Sequence, residues 1–230
     1  NILKALIRKT ETGKTTPAEQ YGTIIGHNEG KLAKPLVEWT VGEIIAASDG
    51  WRKRFGTTSG AAGAYQIIKP TLKLLQTKLG LDGTEKFTPE LQDRMADELL
   101  DTRGLGAFLR GTITVEAFGN ALAREWASFP VLSISRRGET VLKRGQSYYD
   151  KFAGNSALIS PETVEATLLR LRKGDEPVTV PSYQPGDTDE PTPVDTAQPI
   201  EVSLTTSDWL LIGGVAAIIA FIISAVLWLT

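Results

Sequence analysis

Every lysine and arginine of this 230-residue chain lies at or before Lys173, and that division constrains its fold more than any other feature. Eight acids follow: Asp175, Glu176, Asp187, Asp189, Glu190, Asp195, Glu201 and Asp208. The formal charge of -2 therefore conceals 25 bases against 19 acids in residues 1–174. A body with an excess of about six positive charges is drawn to polyanions such as nucleic acid, anionic lipid or the acidic bacterial wall. The basic residues are dispersed and match no nucleic-acid motif, so nucleic acid is not the expected partner.

Beyond the body, residues 175–207 carry Pro177, Pro181, Pro185, Pro191, Pro193 and Pro199 among many Thr and Asp. Such a stretch lacks the side chains to fill a core, and proline and charge repulsion keep it extended, which predicts a disordered tether. From Trp209 to Leu229 the chain is uncharged. At about 1.5 Å per helical residue this run is long enough to cross a hydrocarbon layer of roughly 30 Å. Trp209 and Trp228 stand where indoles favour the headgroup region, so a single transmembrane helix is expected over 209–229; burial in a partner protein is the alternative. The first apolar run of the chain is short and interrupted by Lys4, Arg8 and Lys9, unlike a secretory signal.

The body reads as mainly helical. Leu3, Leu6 and Ile7 form a stripe that reaches Glu11 four places on. Thr40 with Glu43 opens a short helix over 41–48, Pro70 a helix over 71–79, and Thr88 with Pro89 a helix over 90–100. Residues 114–127, 136–152 and 161–173 supply further helical candidates, whereas 19–39 predict a small β-element or an irregular wall. The expected fold class is mainly α (α+β). Its divisions are a catalytic body over 1–155, a helix of that body within 156–174, an acidic Pro-rich linker over 175–207 and a transmembrane segment over 208–230.

The absence of cysteine excludes disulfides, thiolate metal sites and cysteine nucleophiles. A single histidine, His27, argues against a histidine-rich metal centre or a Ser-His-Asp triad. Glu11 sits on the apolar side of a helix end, where desolvation raises a carboxyl pKa and suits it to protonate a leaving oxygen; a frayed, solvated last turn is the plainer reading. The segment from Thr57 to Ile68 is rich in small residues and then offers Tyr65 and Gln66, a phenol and an amide able to orient hydroxyl groups.

The stretches LKALIRKTETG, SGAAGAYQIIKPTLKLLQTKLGL, FTPELQDRMADELL with Arg103 and Gly104, and REWASFP resemble the phage lambda lysozyme family, glycoside hydrolase family 104 and its relatives. They occur in that order over about residues 3–152. The resemblance implies a lysozyme-like fold, with Glu11 as the catalytic acid and Tyr65, Gln66 and Phe129 as substrate-binding residues. Gln92 and Asp93 match a pair of mainly structural role, and Trp126 is expected in the core. Thr12 intervenes between Glu11 and Gly13, and the family's His-Pro pair is missing.

The resemblance further implies a peptidoglycan substrate cut between N-acetylmuramic acid and N-acetylglucosamine, without metal or organic cofactor. A transglycosylase closing a 1,6-anhydro ring is the expected form. A hydrolytic lysozyme is the alternative and calls for a second carboxylate, for which Glu29, Glu43 and Asp49 are the nearest in sequence. The competing class is a noncatalytic wall-binding or structural virion protein. With the apolar run, these readings imply a lipid-membrane partner at 209–229 and a membrane-anchored location, in the host inner membrane or a virion membrane, from which the body reaches the periplasmic wall.

Overall fold

A computed structural model of the chain describes residues 1–150 and 155–174. The chain divides into two units, Asn1–Pro185 and Gly186–Thr230, and all described residues fall in the first. Eight α-helices and one hairpin are formed among them: α1 (Ile2–Thr12), α2 (Pro17–Gly22), α3 (Val41–Phe55), α4 (Lys69–Lys78), α5 (Pro89–Thr102), α6 (Leu105–Leu109), α7 (Val115–Glu125), β1 (Ser135–Arg137), β2 (Thr140–Leu142) and α8 (Pro161–Lys173).

Local chemistry sets most of these boundaries. Asn1 caps α1 by accepting from the Leu3 and Lys4 amides, and Gly13 closes it in the left-handed region with φ 64°. The stripe of α1 is buried as its spacing requires, with Leu3, Leu6 and Ile7 at 0–3% exposure. Thr40 and Glu43 form a reciprocal capping box at α3, and Thr88, Thr114 and Ser160 cap α5, α7 and α8. Helix α3 runs to Phe55, past the expected end at Ser48, because Trp51 is buried against the core and packs edge-on to Trp39 at 5.2 Å. Burial of an indole outweighs the weak helix propensity of Gly50.

One expectation fails, and another resolves to the second of its two alternatives. The helix expected over 136–152 is not formed among the described residues 136–150: Ser135–Arg137 pairs with Thr140–Leu142 in an antiparallel hairpin, turning through Gly138 at φ 56°. Alternation of buried Ser135 and Leu142 with exposed Arg136 and Val141 is a period of two. Residues 19–39 form α2 and three short 3-10 turns, with one isolated bridge between Ile24 and Ala62 in place of a β-element.

The expected transmembrane helix is also corrected. Among the described residues no helix is long and apolar enough to cross a membrane. The longest, α3, has 15 residues and ends in Arg52, Lys53 and Arg54, whereas spanning takes about 20 consecutive, mostly apolar residues. The lipid-membrane partner and the membrane-anchored location expected with that helix are withdrawn. The tether over 175–207 and the apolar run over 209–229 lie outside the described residues.

Helix α8 packs against α1, α6 and α7. Val164 and Leu168 are fully buried there, and the Arg172 guanidinium lies 4.2 Å from the Phe108 ring while donating to the Ile113 carbonyl. At the other side of α1, the glycine-rich segment is tied to α5 by Gln92, which is fully buried. Its Oε1 accepts from the Ala64 amide at 2.8 Å, and its Nε2 donates to the carbonyls of Tyr21 and Phe87 at 3.1 and 2.9 Å. Gly63, at φ 77°, lies so close to this amide that any Cβ would collide with it. Gln92→Ala leaves one donor and two acceptors buried without partners and is expected to cost about 3 kcal/mol, read from the urea unfolding midpoint.

Candidate functional site

Glu11 occupies the last turn of α1, where the backbone is held on both sides. Gly13 donates its amide to the Lys9 carbonyl at 2.9 Å. Thr12 is buried; its hydroxyl donates to the Arg8 carbonyl at 2.6 Å and accepts from the Lys14 amide. The residue that separates Glu11 from the glycine thus locks the turn, so this helix end is not frayed. The carboxyl group points at the turn that follows α7.

That turn is built from Trp126, Ala127, Ser128 and Phe129. Trp126 is 3% exposed and donates its indole N–H to the Tyr65 carbonyl; Phe129 is fully buried, with its ring 6.4 Å from that of Trp126. The Phe129 amide donates to the Trp126 carbonyl at 3.1 Å. Between the two anchors Ser128 faces α1, and its hydroxyl donates a short hydrogen bond to Glu11 Oε1. The Ser128 carbonyl accepts from the Leu158 amide at 2.8 Å, which brings residues 155–158 alongside.

These pieces enclose a cavity of about 220 Å³ lined by Thr10, Glu11, Ala127, Ser128, Asn155, Ser156 and Leu158. Desolvation of the Glu11 carboxyl pushes its pKa up to about 7; the hydroxyl and amide of Ser128 oppose the rise, and the charge of Glu125 adds to it. Glu125 is itself held by Arg103 at 2.7 Å, with both side chains nearly buried. The site therefore contains a carboxyl that keeps its proton near neutrality, next to a hydroxyl, in a cavity of the size of a few sugar atoms. Such a group can protonate a leaving oxygen.

The expected companions of Glu11 are placed differently from one another. Tyr65 is 1% exposed, and its hydroxyl donates to Asp93 at 2.5 Å while accepting from Arg8 at 3.0 Å. Tyr21 donates to the same carboxylate oxygen at 2.7 Å. Burial opposes the Asp93 charge, but the two phenols with Lys4 and Arg8 outweigh it and hold its pKa below the usual value. Phe129 is in the core. Gln66 retains surface, with its side-chain amide donating to the Gly63 carbonyl and its backbone at φ 46°. None of the three lines the Glu11 cavity.

The carboxylates nearest in sequence are engaged elsewhere: Glu29 with Lys14 at 3.2 Å, Glu43 with Lys34 at 2.9 Å and Asp49 with Lys69 at 2.6 Å. The sequence reading passed over Ser128, the Arg103–Glu125 pair and the 155–158 wall. A small hydroxyl residue set between two aromatic anchors, and followed by Pro130, is the signal that marks Ser128.

The site thus consists of a helix-end acid facing an aromatic-anchored turn. Residues 48–156 match the family model described as Endolysin. No curated protein and no solved structure matches the chain. The matched segment supports a peptidoglycan-degrading enzyme of the lysozyme and endolysin kind; it does not single out glycoside hydrolase family 104. It includes Ser128, Glu125 and the glycine-rich segment, whereas Glu11 on α1 and Leu158 lie outside it.

Burying an acid has a cost that depends on pH. Between the ordinary Glu value and about 7 the folded protein holds a proton that the unfolded chain has released, so stability falls as pH rises through this window. Glu11→Gln removes the penalty. Part-exposure of the residue reduces the full linkage value, and the variant is expected to be about 2 kcal/mol more stable at pH 8 and unchanged at pH 4, by urea titration at both pH values.

Proposed function

We propose that the protein is a lytic transglycosylase that cleaves the β-1,4 bond between N-acetylmuramic acid and N-acetylglucosamine, with Glu11 as its acid. The carrying observation is the Glu11 carboxyl itself, desolvated in a cavity and raised to about 7. Protonated Glu11 donates to the bridging oxygen as the bond to the muramic C1 breaks and that carbon gains oxocarbenium character. The Glu11 carboxylate then takes the proton of the C6 hydroxyl, whose oxygen attacks C1. A 1,6-anhydro ring closes, Glu11 is again protonated, and no water is consumed.

The engagement of the other carboxylates supports a single-acid route. Hydrolysis with inversion requires a second carboxylate to activate water, and retention requires one to act as nucleophile. Glu29, Glu43 and Asp49 are each paired with a lysine, and Glu125 is neutralised by Arg103. Ser128 orients the acid and stabilises its ionised form between the two proton transfers. Gln66 is the expected substrate contact with surface to offer, while Tyr65 and Phe129 act through the walls they hold.

Mass spectrometry of sacculi treated with the full chain tests this reading. Anhydro-muropeptides are expected, falling about a thousandfold in rate with Glu11→Gln, and kcat/KM is expected to decline as pH rises through about 7. Reducing ends instead of anhydro ends identify a muramidase, and intact glycan with folded protein identifies a wall-binding module.

A further inference from the structure

The C-terminal turn of α3 carries Arg52, Lys53 and Arg54, all exposed, before the left-handed Gly56. A fourth cation arrives from a different element: Lys31, on the short turn Glu29–Lys31, places its ammonium 5.3 Å from the centroid of the Phe55 ring. The Arg54 guanidinium lies 5.4 Å from the same centroid. The Lys31 ammonium is fixed there by donating to Asn28 Oδ1 at 2.6 Å. Two cations from separate parts of the chain thus face one half-buried aromatic ring.

Charge at this corner is not balanced by the neighbouring acids. Glu29 is bound to Lys14, Glu43 to Lys34 and Asp49 to Lys69. Lys69 is the main cause of the lowered Asp49 pKa, with smaller contributions from the charges of Arg52 and Lys53, so Asp49 is engaged chiefly by a lysine outside the group. Among the described residues Lys31, Arg52, Lys53 and Arg54 form no ion pair within 4.0 Å. Favourable interaction with the helix dipole accounts for a cation in the last turn. It does not account for Lys31, which belongs to no α-helix, nor for the convergence on Phe55.

We propose that this corner, Lys31 with Arg52, Lys53 and Arg54 around Phe55, is a docking surface for the free carboxylates of peptidoglycan stem peptides. The partner is chosen by charge complementarity together with the wall-degrading function: each stem presents ionised carboxylates at neutral pH, and arginine binds them through paired N–H donors. The surface shares no residue with the Glu11 cavity. It holds the enzyme on an insoluble anionic network while cleavage proceeds elsewhere on the body. Attachment and turnover are therefore separable.

Sedimentation of the full-length chain with purified sacculi tests the proposal, in the Glu11→Gln background so that the glycan stays intact. Combined Arg52→Gln, Lys53→Gln and Arg54→Gln is expected to weaken binding roughly tenfold at low salt and to flatten its salt dependence. Lys31→Gln, on a separate element, is expected to shift binding in the same direction by a smaller factor. Sacculi whose carboxylates have been amidated should bind the unchanged surface as weakly as intact sacculi bind the triple variant. On a soluble, peptide-free glycan oligomer the triple variant with Glu11 retained should turn over at the unaltered rate. Equal binding by all variants, or equal binding to amidated sacculi, overturns the proposal, as does binding that follows a phosphodiester polymer instead of the peptide. Absence of cleavage with these binding differences intact counts against the proposed chemistry and leaves the docking surface standing.

Discussion

Adjacent residues of α5, Gln92 and Asp93, hold the part of the molecule that has no regular structure of its own. The glycine-rich segment makes few hydrogen bonds by secondary structure, so its backbone groups must find partners one by one. From a fully buried position Gln92 supplies one of them, for the Ala64 amide, and binds the carbonyls of Tyr21 and Phe87 as well, and Asp93 gathers the phenols of Tyr21 and Tyr65 together with Lys4 and Arg8 of α1. These two side chains fix the glycine-rich segment, α2 and α1 relative to α5. A network of this kind stabilises when complete and penalises the fold when any member is removed.

Rigidity here bears directly on the chemistry. A carboxyl group kept protonated near neutrality has to be denied water, and a side chain at a helix end is ordinarily well hydrated. Two constraints remove that hydration. Thr12 and Gly13 stop α1 from unwinding at its end, and Trp126 with Phe129 forces Ser128 against the carboxyl. Tyr65 links both: its hydroxyl belongs to the Asp93 network under α1, and its carbonyl receives the Trp126 indole. The buried phenol therefore belongs to the framework behind the cavity and not to its lining.

Much of this was legible in the residues, to the extent that the governing interactions are local. The α1 stripe, the Thr40–Glu43 box, the Thr88 cap and the position of Glu11 at the end of α1 all follow from neighbours within a turn or two. The hairpin at Ser135–Leu142 escaped because three-residue strands give too few alternations to outweigh a helical reading. The turns between Gly22 and Thr40 escaped because 3-10 segments of three residues have no period to detect. For Ser128 the local sequence marks only its place in a turn between two aromatic anchors: its partner lies 117 residues away, and nothing in that turn indicates a contact at that distance. Tyr65 stood out in the residues without its surroundings being fixed, since a phenol suits a cleft and a buried hydrogen-bonded network equally well.

The boundaries of the endolysin match acquire a physical meaning from this arrangement. Residues 48–156 hold Ser128, the aromatic anchors and the Arg103–Glu125 pair, which together form the environment that perturbs an acid. The acid itself comes from α1, before the match, and Leu158 closes the cavity from after it. Helix α8 completes the connection by packing on both α1 and α7, so an element that follows the match is tied to the helix that precedes it. Val164 and Leu168 are fully buried in that packing. The segments outside the family match therefore line the same cavity as the segment inside it, and the helix that carries Glu11 is held by residues the match does not include.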